Sequence, residues 1–366
     1  LTEFEALLRL SMTRGIGIRT YNTLLERFGS SEAILNALKA ELESVSGVGP
    51  KLATAIVEES RNIDIASETN LAKEKNVQII PYTSEQYPKH LKTIYDPPLV
   101  LYVKGNILEA DVLALAIVGA RRCTYYGLSQ AERFGQLLAQ KGFCIVSGMA
   151  RGIDAAAHRG AIKANGRTIA ILGCGLGVIY PRENIELAEQ IVQHGAIVSE
   201  FPMRTPPDFR NFPPRNRLIS GLSLGVLVVE SSLSSGSLIT AQWALEQGKE
   251  VFAIPGNIDS IYSRGTHKLI KEGAKLVEDI NDIIQELGPI AETLNPCDEA
   301  ATNDPRSLSL NSQEKKIFSL LSSSPKDIDE IIQATELPTS VVSSTLMILE
   351  IKKLVKQLSG KRFVKA

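Results

Sequence analysis

Short apolar runs recur through the middle of the chain at intervals that fit one kind of architecture. Between about 107 and 288, ALAIVGA, FCIVSGM, RTIAILG, AIVSE, GVLVVES, EVFAIPG and AKLVED alternate with amphipathic stretches. Strands rich in Val and Ile, each followed by a helix, predict a parallel sheet covered by helices on both faces, the doubly wound, Rossmann-like α/β class. The preceding VQIIPYTSEQYPKHLKTIYDPPLVLYVKG predicts edge strands and a proline-rich lead-in, which sets this domain at 65–288.

The pattern changes at both ends. Residues 1–64 read as all-helical, and RGIGIRTYNTLLERFG and VSGVGPKLATAIVEE repeat one motif, a Gly-x-Gly turn before an apolar helix. This resembles paired helix-hairpin-helix motifs, whose glycine turns let backbone N–H groups approach a phosphate. Arg19 and Lys51 suit that role, whereas Glu41, Glu43, Glu58 and Glu59 make the block acidic and favour a purely structural cap. From 289 to 311, PIAETLNPCDEAATNDPRSLSLN has no periodicity and reads as a linker. Residues 312–366 predict three helices and a glycine-centred hairpin, a small winged helix. Its presumed recognition helix offers Thr339, Ser340, Ser343 and Ser344 but no arginine, so DNA contact there rests on Lys361, Arg362 and Lys365. Contact with protein, or simple packing, is the other reading.

Composition narrows the function. At 366 residues, with 44% hydrophobic residues, the chain can bury the cores of two or three domains. No apolar run is long enough to span a bilayer, and LTEFEALLRLSMTRG starts with acidic residues rather than a basic leader, so a cytoplasmic protein without a membrane partner is expected. The four cysteines form no Cys-x-x-Cys and the four histidines show no ligand spacing, which argues against a metal site or a disulfide framework. Net charge is −1, so any nucleic-acid surface must be a local patch.

Ligands of open parallel sheets bind outside the carboxyl ends of the strands. Here those ends run into GARRCTYYG, SGMARGIDAAAH, GCGLGVIYPRENIE, SEFPMRTPPDFRNFPPRNR, ESSLSSGSLITA and PGNIDSIYSRGTH. These loops supply Gly119, Ser147, Gly148, Gly173 and Gly175 beside Arg121, Arg122, Arg151, Arg182, Arg210, Arg215, Arg217 and Arg264, with Asn216 between Arg215 and Arg217. Glycine or serine before a helix aims backbone donors at phosphate, and Tyr125, Tyr126, Tyr180, Phe209 and Phe212 can stack on bases of any identity. The combination suits a single strand of nucleic acid. Arg215 and Arg217 pose a separate question, because prolines 213 and 214 place them in the first turn of a helix, whose N-terminus already carries about half a positive charge. Either phosphate or the strand-end carboxylates Glu200 and Glu230 must supply the anion. A dinucleotide site is poorly supported, since GCGLGVIYP follows the third strand, lacks Gly-x-Gly-x-x-Gly and leads into proline, and no other cofactor signature is present.

In order along the chain, VGARRCTYYG, VSGMARGIDAAAH, LGCGLGVIYPRENIEL, SEFP, FPPRNRLISGLS, VVESSLSSGSLITAQWA and VFAIPG resemble the bacterial DNA-processing protein A family, DprA or Smf, over about 80–280. The resemblance implies an extended Rossmann fold that binds single-stranded DNA, no enzyme activity, and loading of the recombinase RecA in natural transformation or recombination. Arg121 falls on the arginine of the family's Val-Gly-Ser-Arg loop, with Ala120 in place of the serine, and Arg182 on the basic residue after Tyr-Pro. A homodimer is implied too, placed here on His267, Ile270 and Leu276. The alternative is a phosphoribohydrolase-like nucleotide enzyme, similar in its SSGSLITA loop; that group carries a glutamate close after its glycine run, and here the next one is Glu246.

Overall fold

The computed structural model describes residues 1–294, 312–321, 326–335, 337–351, 354–358 and 362–365. The chain forms two compact units, Leu1–Asn295 and Pro296–Ala366.

The first unit is built on a nine-stranded sheet: β1 (Val77–Pro81), β2 (Val100–Gly105), β3 (Ala114–Val118), β4 (Cys144–Ser147), β5 (Thr168–Leu172), β6 (Gly195–Ser199), β7 (Gly225–Val228), β8 (Glu250–Ala253) and β9 (Lys275–Leu276). The order is β1-β2-β6-β5-β4-β3-β7-β8-β9. β1 and β2 run antiparallel to their neighbours, and the strands from β6 across to β9 form the parallel block. Every residue of β3 to β7 is buried, because helices cover both faces. The two-residue alternation of strands sorts them: Leu115 and Ile117 meet Phe134, Leu138 and Ala157 on one face, while Ala116 and Val118 meet Leu218, Ile219 and Ala241 on the other. Full burial of each such Leu, Ile or Phe contributes roughly 1.5–3 kcal/mol. The doubly wound class read from the pattern is thus the observed one. Strand order reverses at β3, which pairs with both β4 and β7, so a crevice opens at the carboxyl ends of β3 and β7.

The N-terminal helices do not stand apart. Leu8, Leu10, Leu24 and Ile56 share one core with Tyr102, Leu172 and Ile197 of the sheet. Thr2 and Glu5 form a capping box at helix Glu3–Met12. Asp64 caps helix Ile65–Glu74, whose buried Glu68 accepts the Met203 N–H at 2.7 Å. The two glycine turns differ. In the first, Gly17 lies against Asp96 and the Arg19 guanidinium sits 3.5 Å from the centre of the Tyr95 ring; in the second, Gly47 and Gly49 face open space.

Helix Ile280–Leu294 continues past Gly288 and Pro289, the pair at which the sequence suggests that the linker begins. Ile283 and Leu287 are fully buried and anchor the turns before the proline, which costs the helix one hydrogen bond. The rest of the predicted linker, Cys297 included, lies outside the described residues.

The second unit has helices Ser312–Leu320, Ile328–Thr335 and Thr339–Ile351 and a three-stranded sheet, β10 (Lys326–Asp327), β11 (Val355–Leu358) and β12 (Arg362–Lys365), in the order β10-β12-β11. Ile317, Ile331, Val342, Leu346, Leu349 and Phe363 make its core. Thr339, Ser340, Ser343 and Ser344 are exposed on the third helix, as are Met347 and Ile348. Arg362 is exposed; Lys361 and the side chain of Lys365 lie outside what is described.

Candidate nucleic-acid interface

The loop after β3 is pinned before it reaches the surface. The Ala120 N–H donates to the Glu230 carbonyl at 2.8 Å, and a Cβ on Gly119 would lie 2.6 Å from Ile153 and 2.9 Å from that same carbonyl. Arg121 and Arg122 therefore leave the sheet edge from a fixed base. Both are exposed, and neither has an ion-pair partner among the described residues. Arg182, after β5, is likewise exposed and unpaired among them. Phe212 joins these loops: the Arg121 guanidinium lies 4.9 Å from its ring centre, and Tyr180 stacks on it at 5.8 Å with an interplanar angle of 24°. Phe209, 79% exposed, borders the same cleft as Phe212, and Tyr125, 87% exposed, begins the helix after the β3 loop.

Two further arginines are already answered. Arg151 forms an exposed ion pair with Glu183, which holds the Glu183 carboxyl below the usual carboxylate range. Arg210 binds Asp208, Nη2 to Oδ2 2.6 Å, and its hydrogen bonds pull the Asp208 carboxyl down to about 2. The sequence signal for Asp208 was its place two positions before Arg210, in PDFR; Glu183 reaches Arg151 across 32 positions and had none.

The arginine pair at the helix start has internal anions. Arg217, 7% exposed, binds Glu200 through two parallel contacts of 2.7 Å, and its Nε donates to the Asp96 carbonyl at 2.9 Å. Arg215, 4% exposed, donates through Nη1 to the Gly148 carbonyl at 3.0 Å and to that of Ile171. Burial lowers its guanidinium to about 10, and the nearby Asp154 charge opposes that fall; burial in turn raises Asp154. Asp154 accepts the Gly148 N–H at 3.1 Å and the Ala150 N–H at 3.4 Å. Neither arginine pairs with Glu230. That carboxylate accepts the Thr124 N–H at 2.8 Å and the Thr124 hydroxyl at 2.6 Å, so it sits at the positive end of helix Tyr125–Gln140. Gly127 leaves the room: a side chain there would collide with Glu230.

Other residues of the predicted strand site also lie inside. Ser147 is fully buried and donates to the Ile117 carbonyl at 2.6 Å, and Asn216 donates to the Gly236 carbonyl at 3.2 Å. Gly148, Gly173 and Gly175 are buried, and their missing side chains make room for Arg215, for the Phe212 ring and for the Pro202 and Met203 carbonyls. Close packing explains these glycines without a ligand. The structure thus brings Arg121, Arg122, Tyr180, Arg182, Arg151 and Arg210 to the surface and withdraws Arg215, Asn216, Arg217 and Ser147 into the fold. At the switch point lies a cleft of about 540 Å³, bordered by Arg121, Arg122, Phe212, Ser235, Gly236 and Thr240. Sequence reasoning missed Ser235 and Thr240, although the serine-rich SSGSLITA loop marked the place.

At the far end of the sheet, Ile270 packs partly against the core, His267 Nε2 lies 3.1 Å from the Gly256 carbonyl oxygen, and Leu276 is 40% exposed on edge strand β9. Among the described residues no group of three His, Cys, Asp or Glu is placed to hold a metal, and no helix is long and apolar enough to cross a membrane.

Fold and site together define a doubly wound α/β protein whose ligand edge is cationic and flanked by aromatic rings. The profile of the DNA recombination-mediator protein A family matches residues 78–288, a DprA winged helix profile matches 300–361, and a SAM-like helix-hairpin-helix tandem matches 4–62. The chain belongs to this family, the DprA/Smf proteins. It is 48% identical to DNA processing protein DprA of Bacillus subtilis over 216 residues, 59% of this chain and 73% of that one. With protein Smf of Synechocystis it shares 34% over 383 aligned positions, 96% of each chain. The crystal structure of DprA from Streptococcus pneumoniae superposes with a TM-score of 0.67 at 35% identity, covering 78% of this chain and 98% of that one. DNA processing protein A of Helicobacter pylori, for which a single-stranded DNA binding mode is described, gives 0.53 at 33% identity over 58% and 96%.

Proposed function

We propose that this protein binds single-stranded DNA along the carboxyl edge of its sheet, in the cytoplasm, and delivers it to a RecA-type recombinase in recombination or transformation. The observation that carries the reading is the set of exposed cations Arg121, Arg122 and Arg182, unpaired among the described residues, around the Arg121–Phe212–Tyr180 pile. Cations take the phosphates, and rings stack on bases without reading them. Binding without chemistry is the favoured mode, because Glu230 is 4% exposed and held by Thr124. Self-association through the β9 edge belongs to the same reading, with the exposed Leu276 at its centre.

Arg121→Ala with Arg182→Ala tests the strand site. The double variant keeps its melting temperature, while affinity for all single-strand sequences falls and the slope of log affinity against log salt flattens by roughly 0.7 per lost contact. Unchanged affinity in the folded variant removes this edge as the DNA site. Recombinase delivery is read separately, as filament formation on DNA coated with single-strand-binding protein; no acceleration by this chain reduces the function to binding.

A further inference from the structure

The cleft at the switch point holds more than strand binding uses. Helix Gly236–Glu246 opens onto it; Ser235 accepts the Ser237 N–H through its hydroxyl and the Leu238 N–H through its carbonyl, and the positive end of the helix borders the cleft at Gly236. Space in front of Gly236 is open. Deeper in the cleft, Thr240 is 1% exposed and its hydroxyl has no hydrogen-bond partner among the described residues. A threonine at this depth normally bonds the carbonyl four residues back, but that carbonyl, of Gly236, accepts from Asn216 instead. The Nε of buried Arg215 is also unpartnered. A buried polar group left unmatched, as the Arg215 Nε is, costs about 1–3 kcal/mol unless something meets it. Arg121 and Arg122 stand at the mouth, and the Phe212 ring and Ile239 supply an apolar wall.

A helix N-terminus, two free arginines and an inward hydroxyl favour a compact dianion, and the apolar wall favours a flat ring joined to it. The volume of 540 Å³ falls in the range of small-ligand sites. We propose that the cleft is a binding site for a nucleotide bearing a phosphomonoester, with the phosphate at the Gly236 helix end and Thr240, and that it holds this ligand without cleaving it. Asp154 is the one carboxylate among the lining residues, and its carboxylate is engaged by the Gly148 and Ala150 N–H groups. The ligand is either a free nucleoside monophosphate or the phosphorylated end of a strand. This goes beyond the strand reading and shares with it the arginines at the mouth and the Phe212 ring, whereas the Gly236 helix end and Thr240 belong to this site alone.

Calorimetric titration of the full chain with dTMP, dAMP and the matching nucleosides tests the site. Circular single-stranded DNA and linear strands with a 5′-phosphate or a 5′-hydroxyl are run in parallel. Expected are one saturable nucleotide site, no binding of the nucleosides, no free base released, and a loss of roughly tenfold in Thr240→Val. Circular DNA, which has no end, binds Thr240→Val as it binds the unaltered chain. A preference for 5′-phosphate over 5′-hydroxyl strands identifies the strand end as the source; equal binding of the two, with dTMP bound, identifies the free nucleotide. Absence of saturable dTMP and dAMP binding at millimolar concentration, together with no 5′-phosphate preference, overturns the proposal in the unaltered chain, whether or not Thr240→Val folds. If circular DNA still binds in that case, only this inference fails; nucleotide binding without binding of circular DNA defeats the strand reading alone.

Discussion

Glu200→Ala asks whether Arg217 belongs to the fold or to DNA. The carboxylate meets the guanidinium in two parallel 2.7 Å contacts, and side-chain exposures of 9% for Arg217 and 15% for Glu200 put the pair largely out of water. Removing one partner of such a pair leaves the other charge buried and uncompensated, at a cost of about 3–5 kcal/mol. The half-exposed Asp96 carboxylate, 3.6 Å from Arg217 Nε, remains as a weaker counter-charge and the carbonyls of Asp96 and Pro214 still accept from Arg217, which points to the lower end of that range. In a unit of this size 1 kcal/mol moves Tm by about 2–4 °C, so a fall of roughly 6–12 °C is expected. Arg217→Met should restore part of the loss when combined with Glu200→Ala, because the double variant has no orphaned charge. The assay is thermal and urea unfolding of both single variants and the double, completed as a cycle. An unchanged Tm in Glu200→Ala, with tighter binding to single-stranded DNA, would show that Arg217 is free to turn toward phosphate and would refute its internal role.

Three shorter predictions follow from the same geometry. Glu183→Gln with Asp208→Asn frees Arg151 and Arg210 at exposed sites, so stability is preserved, while strand affinity rises and the salt slope steepens by roughly 0.7 per recovered contact; fluorescence anisotropy across a salt series reads both. His158 is fully buried, with Nδ1 2.6 Å from the Thr168 hydroxyl, whose proton goes to the Ile145 carbonyl; burial lowers the imidazole to about 3. Below its ordinary value the unfolded chain takes up a proton that the folded chain refuses, so this residue removes about 1.4 kcal/mol of stability per pH unit as pH falls from 6.5 toward 3, a slope that His158→Gln abolishes in urea melts. Leu276→Glu at the exposed β9 edge yields a folded monomer by sedimentation; an unchanged dimer removes this edge as the interface.

Periodicity alone determined the architecture, because a strand buried on both faces has to be apolar throughout and a covering helix has to be amphipathic. ALAIVGA and GVLVVES announce β3 and β7, and the ordered motifs between them carry the family. The loops that matter were also legible, since an open parallel sheet always presents the ends of its strands to ligands. Which arginines face outward was not. Arg121 and Arg217 look alike in one dimension, yet one sits over Phe212 at the surface and the other is closed into Glu200 seventeen positions upstream. Glycines read as phosphate cradles turn out to accommodate Arg215, Phe212 and the Met203 carbonyl, and Glu230 finds its partner in Thr124, 106 residues away. Such assignments depend on which charge comes within a few ångströms of which, and the cost of burying an unpaired ion makes that choice only after the sheet has brought its loops together.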